Sequence, residues 1–508
     1  MREILLNTKK SLIALTIIGI ASACSGVLDQ PVNGKLSEDD FYKTEEDALY
    51  GLTGAYDAYG IVYNHPWPSM YLLREIISDD VNAGGSDQND QAGLQQIDDF
   101  IHESSNPHVK DAWTHCWAAI YRANKVINKT ASDSETLKRI IAEARVLRAF
   151  MYMDLVTLWG GVPLITDDVP ASEFTAQVRA TKQEVLSLIE DDLNAAIPDL
   201  PVKSDYSADD KFRVSKGTAQ GLLGKAYLYH ENWSDALTQL EAVINSNEYE
   251  LEDDPMAPFD MANEFGKESL FELNYISYNG NDWANYAWNG TSENNIIVQL
   301  MGPRGDYFTS APGDSLTGGW GFNTPTDELY DAYVDAGDTD RRQLFLESQA
   351  ELVAAGGGWS NNTAWDYEGY FRRKYGHFSN QTGGPVGELN YGTNFVLLRY
   401  SDIVLMAAEA AFRDSNENDA RTYLNMIRSR PGTGLPDVVV AGPALFDAIV
   451  LERRLELAFE GHRFADLVRW GLADDELTDL GFESDKNEVL PIPVSDVNSA
   501  KLTQNPNY

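Results

Sequence analysis

Aromatic and polar side chains are interleaved over residues 281–288, and a further tryptophan follows at residue 320. A flat aromatic ring can stack on the C–H face of a sugar and bury apolar area while few rotamers are frozen. Amide and carboxylate groups can satisfy the hydroxyl rim of the same sugar. We therefore predict a ligand-binding cluster here. Its aromatic members are Trp283, Tyr286, Trp288 and Trp320, and its polar members are Asn281, Asp282 and Asn285.

The 11 tryptophans divide into two groups according to their local pattern. Those in helical patterns are expected to serve packing, namely Trp113, Trp117, Trp159, Trp233 and Trp470. Those in loop-like contexts are candidates for ligand contact, namely Trp67, Trp283, Trp288, Trp320, Trp359 and Trp365. Core or rim packing is the alternative for each of these six. We expect at least one of them to contact ligand.

Hydrolytic or cofactor chemistry finds little support in the sequence. The chain has 79 acidic residues, so neighbouring carboxylate pairs arise by chance and give no evidence for glycoside hydrolysis. The sequence contains no nucleophile elbow, zinc-protease motif, phosphate-binding loop or dinucleotide fingerprint. The run 414–418 resembles a calcium loop, but its twelfth position is Asn425 rather than Glu. We predict a non-enzymatic protein without a cofactor or metal, and a surface glycosidase is the alternative.

A dense run of opposite charges lies between residues 453 and 469. An anion-binding site and a structural ion-pair network are the two interpretations, and we favour the network because charges on a buried helix must be paired. Its members are Arg453, Arg454, Glu456, Glu460, Arg463, Asp466 and Arg469.

Cys24 follows a segment typical of a bacterial lipoprotein export signal. Lys9 and Lys10 precede an apolar stretch over 11–20, and the small residues 21–23 suit a cleavage site. The apolar stretch is shorter than the roughly 20 residues that a spanning helix needs. We predict cleavage before Cys24 and lipid attachment to it, since several acyl chains hold a protein on a membrane. An ordinary secretory signal is the alternative.

Bulk composition narrows the functional classes further. The formal net charge of −40 argues against nucleic acid as a partner, and less strongly against polyanionic ligands, because a local basic patch could override it. The only other cysteine is Cys116, so no internal disulfide is expected if Cys24 is lipidated. Cys116 lies in an apolar helical pattern and is predicted to be a buried, inert thiol.

Helical periodicity dominates the elements that must position the aromatic loops. Apolar residues recur every three or four positions over 137–159, preceded by Ser132 and Glu135 with capping-box spacing. Helix pairs are predicted from residue 215 onward and over 399–430, and a single long helix is predicted over about 445–470. The offsets of Gly224 and Ala236 fit tetratricopeptide-like pairs, which stack into a curved scaffold. Two Gly-rich aromatic stretches, 274–324 and 356–394, are predicted to be loops or small sheet elements.

Several ordered segments resemble the SusD/RagB family of outer-membrane nutrient-binding lipoproteins. The resemblance is spread over essentially the whole mature chain. It is carried by Leu28-Asp-Gln-Pro31, Asp40-Phe-Tyr-Lys-Thr44, Gly54-Ala-Tyr56, Glu143-Ala-Arg-Val-Leu-Arg-Ala-Phe150, Trp159-Gly-Gly-Val-Pro163, Leu398-Arg-Tyr-Ser-Asp402, Ala408-Glu-Ala410, the run from Glu452 to Trp470, Leu490-Pro-Ile-Pro493 and Gln504-Asn-Pro-Asn-Tyr508. The last of these departs from the family, which more often has Gly before the final Tyr.

The resemblance implies a mainly α fold, with a tetratricopeptide-like helical repeat scaffold and an irregular, loop-rich ligand-binding half. It divides the chain into a signal peptide (1–23), a tether (24–40), an N-terminal helical region (41–270) and a C-terminal region with the aromatic loops (271–508). It also implies attachment to the outer membrane facing the cell exterior, and a SusC-like TonB-dependent transporter as partner. Most members bind glycans and some bind peptides.

The resemblance also suggests a second contact loop. Family members commonly place ligand contacts before residue 110, which corresponds here to the loop 82–96. Its candidate residues are Asp87, Gln88, Asn89 and Asp90.

Overall fold

The computed structural model describes residues 41–508 apart from 168, 170–172, 174–175 and 278–279. The fold is mainly α, as predicted. Its helices are α1 (Glu45–Asn64), α2 (Met70–Ile76), α3 (Ala92–Asp98), α4 (Pro107–Lys129), α5 (Glu135–Trp159), α6 (Lys182–Ala196), α7 (Lys216–Tyr229), α8 (Trp233–Ile244), α9 (Ile296–Met301), α10 (Asp327–Asp335), α11 (Thr339–Phe345), α12 (Gln349–Ala354), α13 (Tyr400–Arg413), α14 (Glu417–Arg428), α15 (Pro443–Glu456), α16 (Arg463–Trp470), α17 (Ala473–Leu477) and α18 (Val494–Ser499).

Short strands tie the irregular segments to this helical body. The strands are β1 (Val81–Gly84), β2 (Ser269–Leu273), β3 (Phe308–Thr309), β4 (Phe322–Pro325), β5 (Leu346–Ser348), β6 (Gly358–Trp359), β7 (Tyr370–Arg372) and β8 (Phe395–Arg399). They form antiparallel pairs β1–β4, β2–β8, β3–β6 and β5–β7. In the first pair Val81 lies opposite Pro325, and Gly84 lies opposite Phe322. The two Gly-rich aromatic stretches are thus mainly loops with small sheet elements, as predicted, but the stretch 274–324 also contains helix α9, which was not predicted.

The predicted helix pairs are confirmed. Helices α7 and α8 form one pair, α13 and α14 form the other, and α13 also packs against α8. Gly224 on α7 faces Leu240 on α8, and a Cβ built on Gly224 would lie 2.6 Å from Leu240 Cγ. Only a residue without a side chain allows the two helices to approach this closely, which is the reason that the repeat pattern requires glycine there.

Two predictions about helix ends are wrong. Helix α5 is capped by Ser134, whose side chain accepts a hydrogen bond from the Leu137 N–H, and not by Ser132. The helix predicted over 445–470 is two helices, α15 and α16. Between them Phe459 and Gly461 have positive φ angles of 65° and 71°, which an α-helix cannot accommodate.

The charged run over 453–469 forms the ion-pair network that we predicted. Glu456 at the end of α15 accepts hydrogen bonds from three guanidinium groups, those of Arg341, Arg399 and Arg430, at 2.6–2.8 Å. Lys374 donates to Glu460 at 2.5 Å in the same cluster. These residues come from α11, β8, α15 and the ends of other segments, so the network joins the scaffold to the loop-rich half. The arginines lower the pKa of Glu456 well below its usual range.

Some predictions concern residues that lie outside the described part of the chain. These are the signal peptide 1–23, the lipidation site Cys24 and the tether 24–40. Within the described residues, no helix combines the length and apolar character needed to cross a membrane. The division at residue 270/271 stays a prediction, and it falls inside strand β2. Cys116 is fully buried, and burial raises the pKa of its thiol well above the usual value, in keeping with an inert side chain.

Candidate functional site

Four tryptophans from three separate loops meet at the surface of the loop-rich half. They are Trp67 between α1 and α2, Trp283 and Trp288 between β2 and α9, and Trp320 just before β4. We call these four residues the tryptophan patch. All four were among the loop tryptophans that the sequence singled out, and three of them belong to the predicted cluster.

Close backbone packing fixes the position of Trp320. The Trp320 backbone N–H donates to Gln299 O at 3.0 Å. The backbone N–H of Gly319 donates to Pro303 O at 2.6 Å, and that of Gly321 donates to Gly302 O at 2.8 Å. A Cβ built on Gly319 would lie 2.5 Å from Gln299 O, so this contact requires glycine. The indole therefore projects from a segment that has little freedom to move.

Trp67 lies beside Trp320 in a backbone conformation that is rare for a large side chain. Its φ angle is +75°, and prolines precede and follow it. The Trp67 and Trp320 ring centroids are 5.8 Å apart with an interplanar angle of 20°. The edge of Phe322 also packs on Trp67, with centroids 5.1 Å apart. Backbone strain of this kind is concentrated at functional sites.

Tyr286 packs against Trp288, one of the two exposed indoles of the patch. Its ring packs edge-on against Trp288 at a centroid distance of 4.7 Å, and only 7% of its surface is exposed. Burial raises the pKa of the Tyr286 hydroxyl above its usual value. Tyr286 was predicted to be a ligand contact, and the structure shows it nearly buried against Trp288, so ligand contact by Tyr286 stays a prediction.

The rings of Trp283, Trp288 and Trp320 form a triangle of nearly parallel planes. Their centroids are 6.3–6.5 Å apart, and their interplanar angles are 17–19°. A straight column of three stacked rings would place the outer pair about twice as far apart as each neighbouring pair, so the three ring centroids do not lie on one line. Trp283 is 52% exposed and Trp288 is 40% exposed. Apolar ring surface of these two tryptophans is thus accessible from solvent.

The three predicted polar residues form the hydrogen bonds that shape the Trp283 loop. The Asn281 amide donates to Ser292 Oγ at 3.1 Å and also to Asn294 Oδ1. Asp282 Oδ1 accepts from the Ala284 N–H at 2.8 Å, and Asn285 Oδ1 accepts from the Asp282 N–H at 2.7 Å. These contacts hold Trp283 on a tight turn. Ligand contact by Asn281, Asp282 or Asn285 stays a prediction.

Asn64, the last residue of α1, forms hydrogen bonds with the C-terminal end of the loop that carries Trp283 and Trp288. Its buried amide donates to Ser292 O at 2.9 Å and to Asn294 O at 2.8 Å, and its Oδ1 accepts from the Ile296 N–H at 3.2 Å. A residue near the end of a helix thus positions Trp283 and Trp288. Helical periodicity alone did not reveal this contact, because its partners lie more than 220 positions away in the sequence.

A polar groove of about 640 Å³ runs beside Trp67 and Trp320. Charged residues on its walls are Asp90, Arg304, Asp306 and Glu388. Arg304 Nε donates to Asp306 at 3.1 Å, its Nη1 donates to Trp320 O at 3.1 Å, and its Nη1 lies 3.8 Å from Asp90. Arg304, Asp306 and Glu388 were missed by the sequence analysis. The Arg304-Gly305-Asp306 turn lies within the aromatic stretch 274–324, so it could have been included in the predicted binding site on that basis.

Residues of the loop after β1 occupy different positions relative to the groove. Asp90 lines it, and ligand contact by this residue stays a prediction. Asp87 and Asn89 are exposed, and Asp87 Oδ1 accepts a hydrogen bond from the Asn89 N–H at 2.8 Å within a turn. Their contact with a ligand stays a prediction.

The remaining tryptophans lie outside the patch. Trp365 is 38% exposed, and its indole N–H donates to Gln95 Oε1 at 2.9 Å. Trp359 packs among Tyr307, Tyr367 and Phe371 in a small separate core. The helical tryptophans serve packing as predicted, with Trp113 and Trp159 buried and Trp117, Trp233 and Trp470 packed against the main core or neighbouring rings.

Three carboxylates elsewhere are close enough to share a cation. These are Asp327, Glu328 and Glu368, whose oxygens lie within 4.8 Å of one another. All three are exposed, and Glu368 already accepts hydrogen bonds from the Asn82 amide and the Asp327 N–H, both at 2.6 Å. The contacts among these residues are explained by the start of helix α10, and they lie apart from the groove lining.

Comparison with known families gives matches at both ends of the described chain. Residues 339–508 match the SusD family. Residues 57–228 match a family described as starch-binding and associating with the outer membrane. A SusD-like protein of Formosa agariphila is 28% identical over 531 aligned residues, which cover 99% of each chain.

Solved structures extend this similarity to three dimensions. A laminarin-binding SusD-like protein is 34% identical, with a TM-score of 0.84 over 92% of this chain and 100% of that protein. Surface glycan-binding protein A from Bacteroides thetaiotaomicron is 26% identical, with a TM-score of 0.78 over 92% of this chain and 100% of that protein. The helical scaffold and the loop-rich half are therefore a shared architecture.

Proposed function

This chain belongs to the SusD family, and from that membership we propose that it binds a nutrient glycan at the cell surface without cleaving it. The observation that carries the proposal is the tryptophan patch. Nearly parallel indoles, two of them exposed, lie beside a polar groove. The indole rings can stack on the C–H groups of a sugar, and the polar groups of the groove can form hydrogen bonds with its hydroxyls.

The number of neighbouring rings favours a chain of several sugars over a single one. Three indoles with centroids 6.3–6.5 Å apart offer stacking positions for more than one pyranose unit. Because Trp320 and Trp67 are already held in place, little conformational entropy is lost when they bind. We propose that polysaccharides or longer oligosaccharides are the preferred ligands.

Laminarin is the first polysaccharide to test. The 34% identical SusD-like structure is described as laminarin-binding, and this chain aligns with all of it. We propose a neutral glucan of this kind as ligand. A peptide ligand and a hydrolytic activity are the alternatives, and the experiment below includes an outcome for each.

Binding and turnover can be measured together. We expect laminarin to retard the protein in native affinity electrophoresis, with no release of reducing sugar on prolonged incubation. Replacement of Trp283, Trp288 and Trp320 by Ala should abolish the retardation. Tyr121→Ala provides a control, because Tyr121 is an aromatic residue on α4 with 51% of its surface exposed and lies outside the patch.

Each proposal can be contradicted by a specific experimental result. Retardation that survives the triple substitution, with unchanged circular dichroism, would locate the glycan site elsewhere. Release of reducing sugar by the purified protein would favour the glycosidase alternative. Binding to a peptide library, with no binding to a panel of neutral polysaccharides, would favour a peptide ligand.

The family is associated with the outer membrane, and we propose that Cys24 carries the lipid anchor. We further propose that the protein faces the cell exterior and delivers its glycan to a SusC-like TonB-dependent transporter. Cys24→Ala should abolish labelling with a radioactive fatty acid and release the protein from membranes. A barrel transporter should co-purify with the wild-type chain in mild detergent, and its consistent absence would contradict the delivery role.

A further inference from the structure

The charged groups that line the groove beside Trp67 and Trp320 are mainly acidic. Asp90, Asp306 and Glu388 line the groove beside Trp67 and Trp320, and Arg304 is the cation among the residues that form its wall. Asp306 and Glu388 are exposed to solvent, so both carboxylates can face a bound ligand. A sugar seated on Trp320 would therefore lie next to several negative charges.

Arg304 is largely occupied by protein partners. Its guanidinium donates to Asp306 and to Trp320 O, each at 3.1 Å, and lies 3.8 Å from Asp90. Only 24% of its side chain is exposed. A carboxylate or sulfate on a ligand would have to displace these partners before it could pair with Arg304, and would leave Asp90 and Asp306 without compensation.

We propose that these groove carboxylates, Asp90, Asp306 and Glu388, exclude anionic glycans and thereby restrict the ligand to uncharged ones. This inference rests on the proposed glycan-binding function and adds the means by which the ligand class is selected. Like charges placed side by side in a partly desolvated site repel each other, and such repulsion is a common source of specificity. The overall charge of −40 acts in the same direction, but salt screens it over about 8 Å at physiological ionic strength.

A pair of ligands with the same backbone tests the proposal. Laminarin and carboxymethyl-laminarin differ in charged substituents on one polysaccharide, and their affinities can be compared by titration calorimetry in 20 mM salt. We expect the wild-type protein to prefer laminarin by about tenfold. In the triple variant Asp90→Asn, Asp306→Asn, Glu388→Gln, this ratio should fall to about threefold or less.

A matched control variant distinguishes the effect of the groove carboxylates on the affinity ratio from the effect of the net charge. Asp133→Asn, Asp447→Asn and Asp479→Asn change the net charge equally, and these three residues are exposed and lie outside the groove lining. This control variant should keep the wild-type ratio. An equal fall of the ratio in the control would overturn the role of the groove carboxylates and assign the selectivity to net charge.

Salt dependence distinguishes repulsion from steric exclusion of the carboxymethyl group. Under the proposal, 300 mM salt should strengthen the binding of carboxymethyl-laminarin to the wild-type protein relative to laminarin. A ratio that is unaffected by salt and by the triple substitution would overturn the inference, as would equal wild-type affinity for both ligands. Failure of the wild-type protein to bind laminarin or any other neutral glycan would instead overturn the proposed function, and the inference with it.

Discussion

At the scale of single residues, Trp320 is the centre of the candidate site. Its ring contacts all three other members of the patch, with centroid distances of 5.8 Å to Trp67, 6.5 Å to Trp283 and 6.4 Å to Trp288. It is also the member with the most backbone hydrogen bonds around it. Central aromatic residues on rigid supports are the ones that usually dominate binding energy.

We therefore expect unequal losses when single tryptophans are replaced. Trp320→Ala should weaken laminarin binding by about 2 kcal/mol, or roughly 30-fold, because a central ring is lost. Trp283→Ala should weaken it about fivefold, since Trp283 lies at the margin and is 52% exposed. Calorimetric titration of both variants checks the order. A larger effect of Trp283→Ala would contradict the central position of Trp320 in the site.

Gly319 offers a test of how Trp320 is held. In Gly319→Ala the new Cβ would lie 2.5 Å from Gln299 O and 2.7 Å from Gly302 Cα, both backbone atoms that cannot easily move. We expect a lower melting temperature and at least tenfold weaker binding, because the Trp320 segment must shift. Gly305→Ala in the same loop is the control, since its Cβ would meet Gly319 O at an ordinary 3.4 Å. Equal effects of the two substitutions would contradict this explanation.

At the scale of elements, the loop that carries Trp283 and Trp288 depends on the end of helix α1. Asn64→Ala would leave Ser292 O, Asn294 O and the Ile296 N–H without their buried partner. We expect a loss of about 2–4 kcal/mol in the free energy of unfolding, together with weaker glycan binding. Chemical denaturation and titration of the same variant measure both effects.

Asn128→Ala is the matched control for this prediction. The Asn128 amide is exposed and donates to Thr166 O at 2.8 Å, so its removal should cost less than about 1 kcal/mol. If Asn64→Ala lowered stability but left binding unchanged, the loop would owe its position to other contacts.

The elements also show which parts of the structure the sequence could predict. Helix pairs were predictable because their apolar faces repeat locally, as at Gly224 and Ala236. The break between α15 and α16 was not predictable from the sequence, because it depends on a close contact between Gly461 and Arg74, which are distant in the sequence. The grouping of the loop tryptophans could be anticipated from composition. The use of Asn281 and Asn285 for loop hydrogen bonds could not, because an amide that binds a ligand and one that shapes a loop have the same sequence signature.

At the scale of the whole molecule, two populations of carboxylates give stability opposite dependences on pH. Arg342 and the Ser348 cap lower the pKa of Glu351 to about 2. Such groups stabilise the fold above their unfolded pKa, and this stabilisation is lost as pH falls from about 4.5 toward 2. Burial instead raises the pKa of Glu75 and of Glu264 to about 7, and that of Asp366 to about 6.

The second population should make the protein less stable at neutral and alkaline pH than at mildly acidic pH. A carboxyl group with a raised folded pKa binds its proton more tightly in the folded state, so folding is penalised as pH rises from about 4.5 through 7. The two populations together predict greatest stability near pH 5. Melting temperatures measured between pH 3 and pH 9 should therefore fall on both sides of that value.

Glu264 and Glu351 allow the two arms to be tested separately. Glu264 Oε1 is buried without a hydrogen-bond partner among the described residues, and its pKa is raised by burial and by Glu272 and Asp260. Glu264→Gln removes the charge that must be desolvated, so it should raise the melting temperature at pH 8 and have little effect at pH 5. Glu351→Gln should lower the melting temperature at pH 8. Its effect should be smaller at pH 3, because at that pH the stabilisation of the fold by the wild-type carboxylate is already partly lost. If Glu264→Gln shifted the melting temperature equally at pH 5 and pH 8, ionisation of that carboxyl group would not be the cause of the alkaline loss.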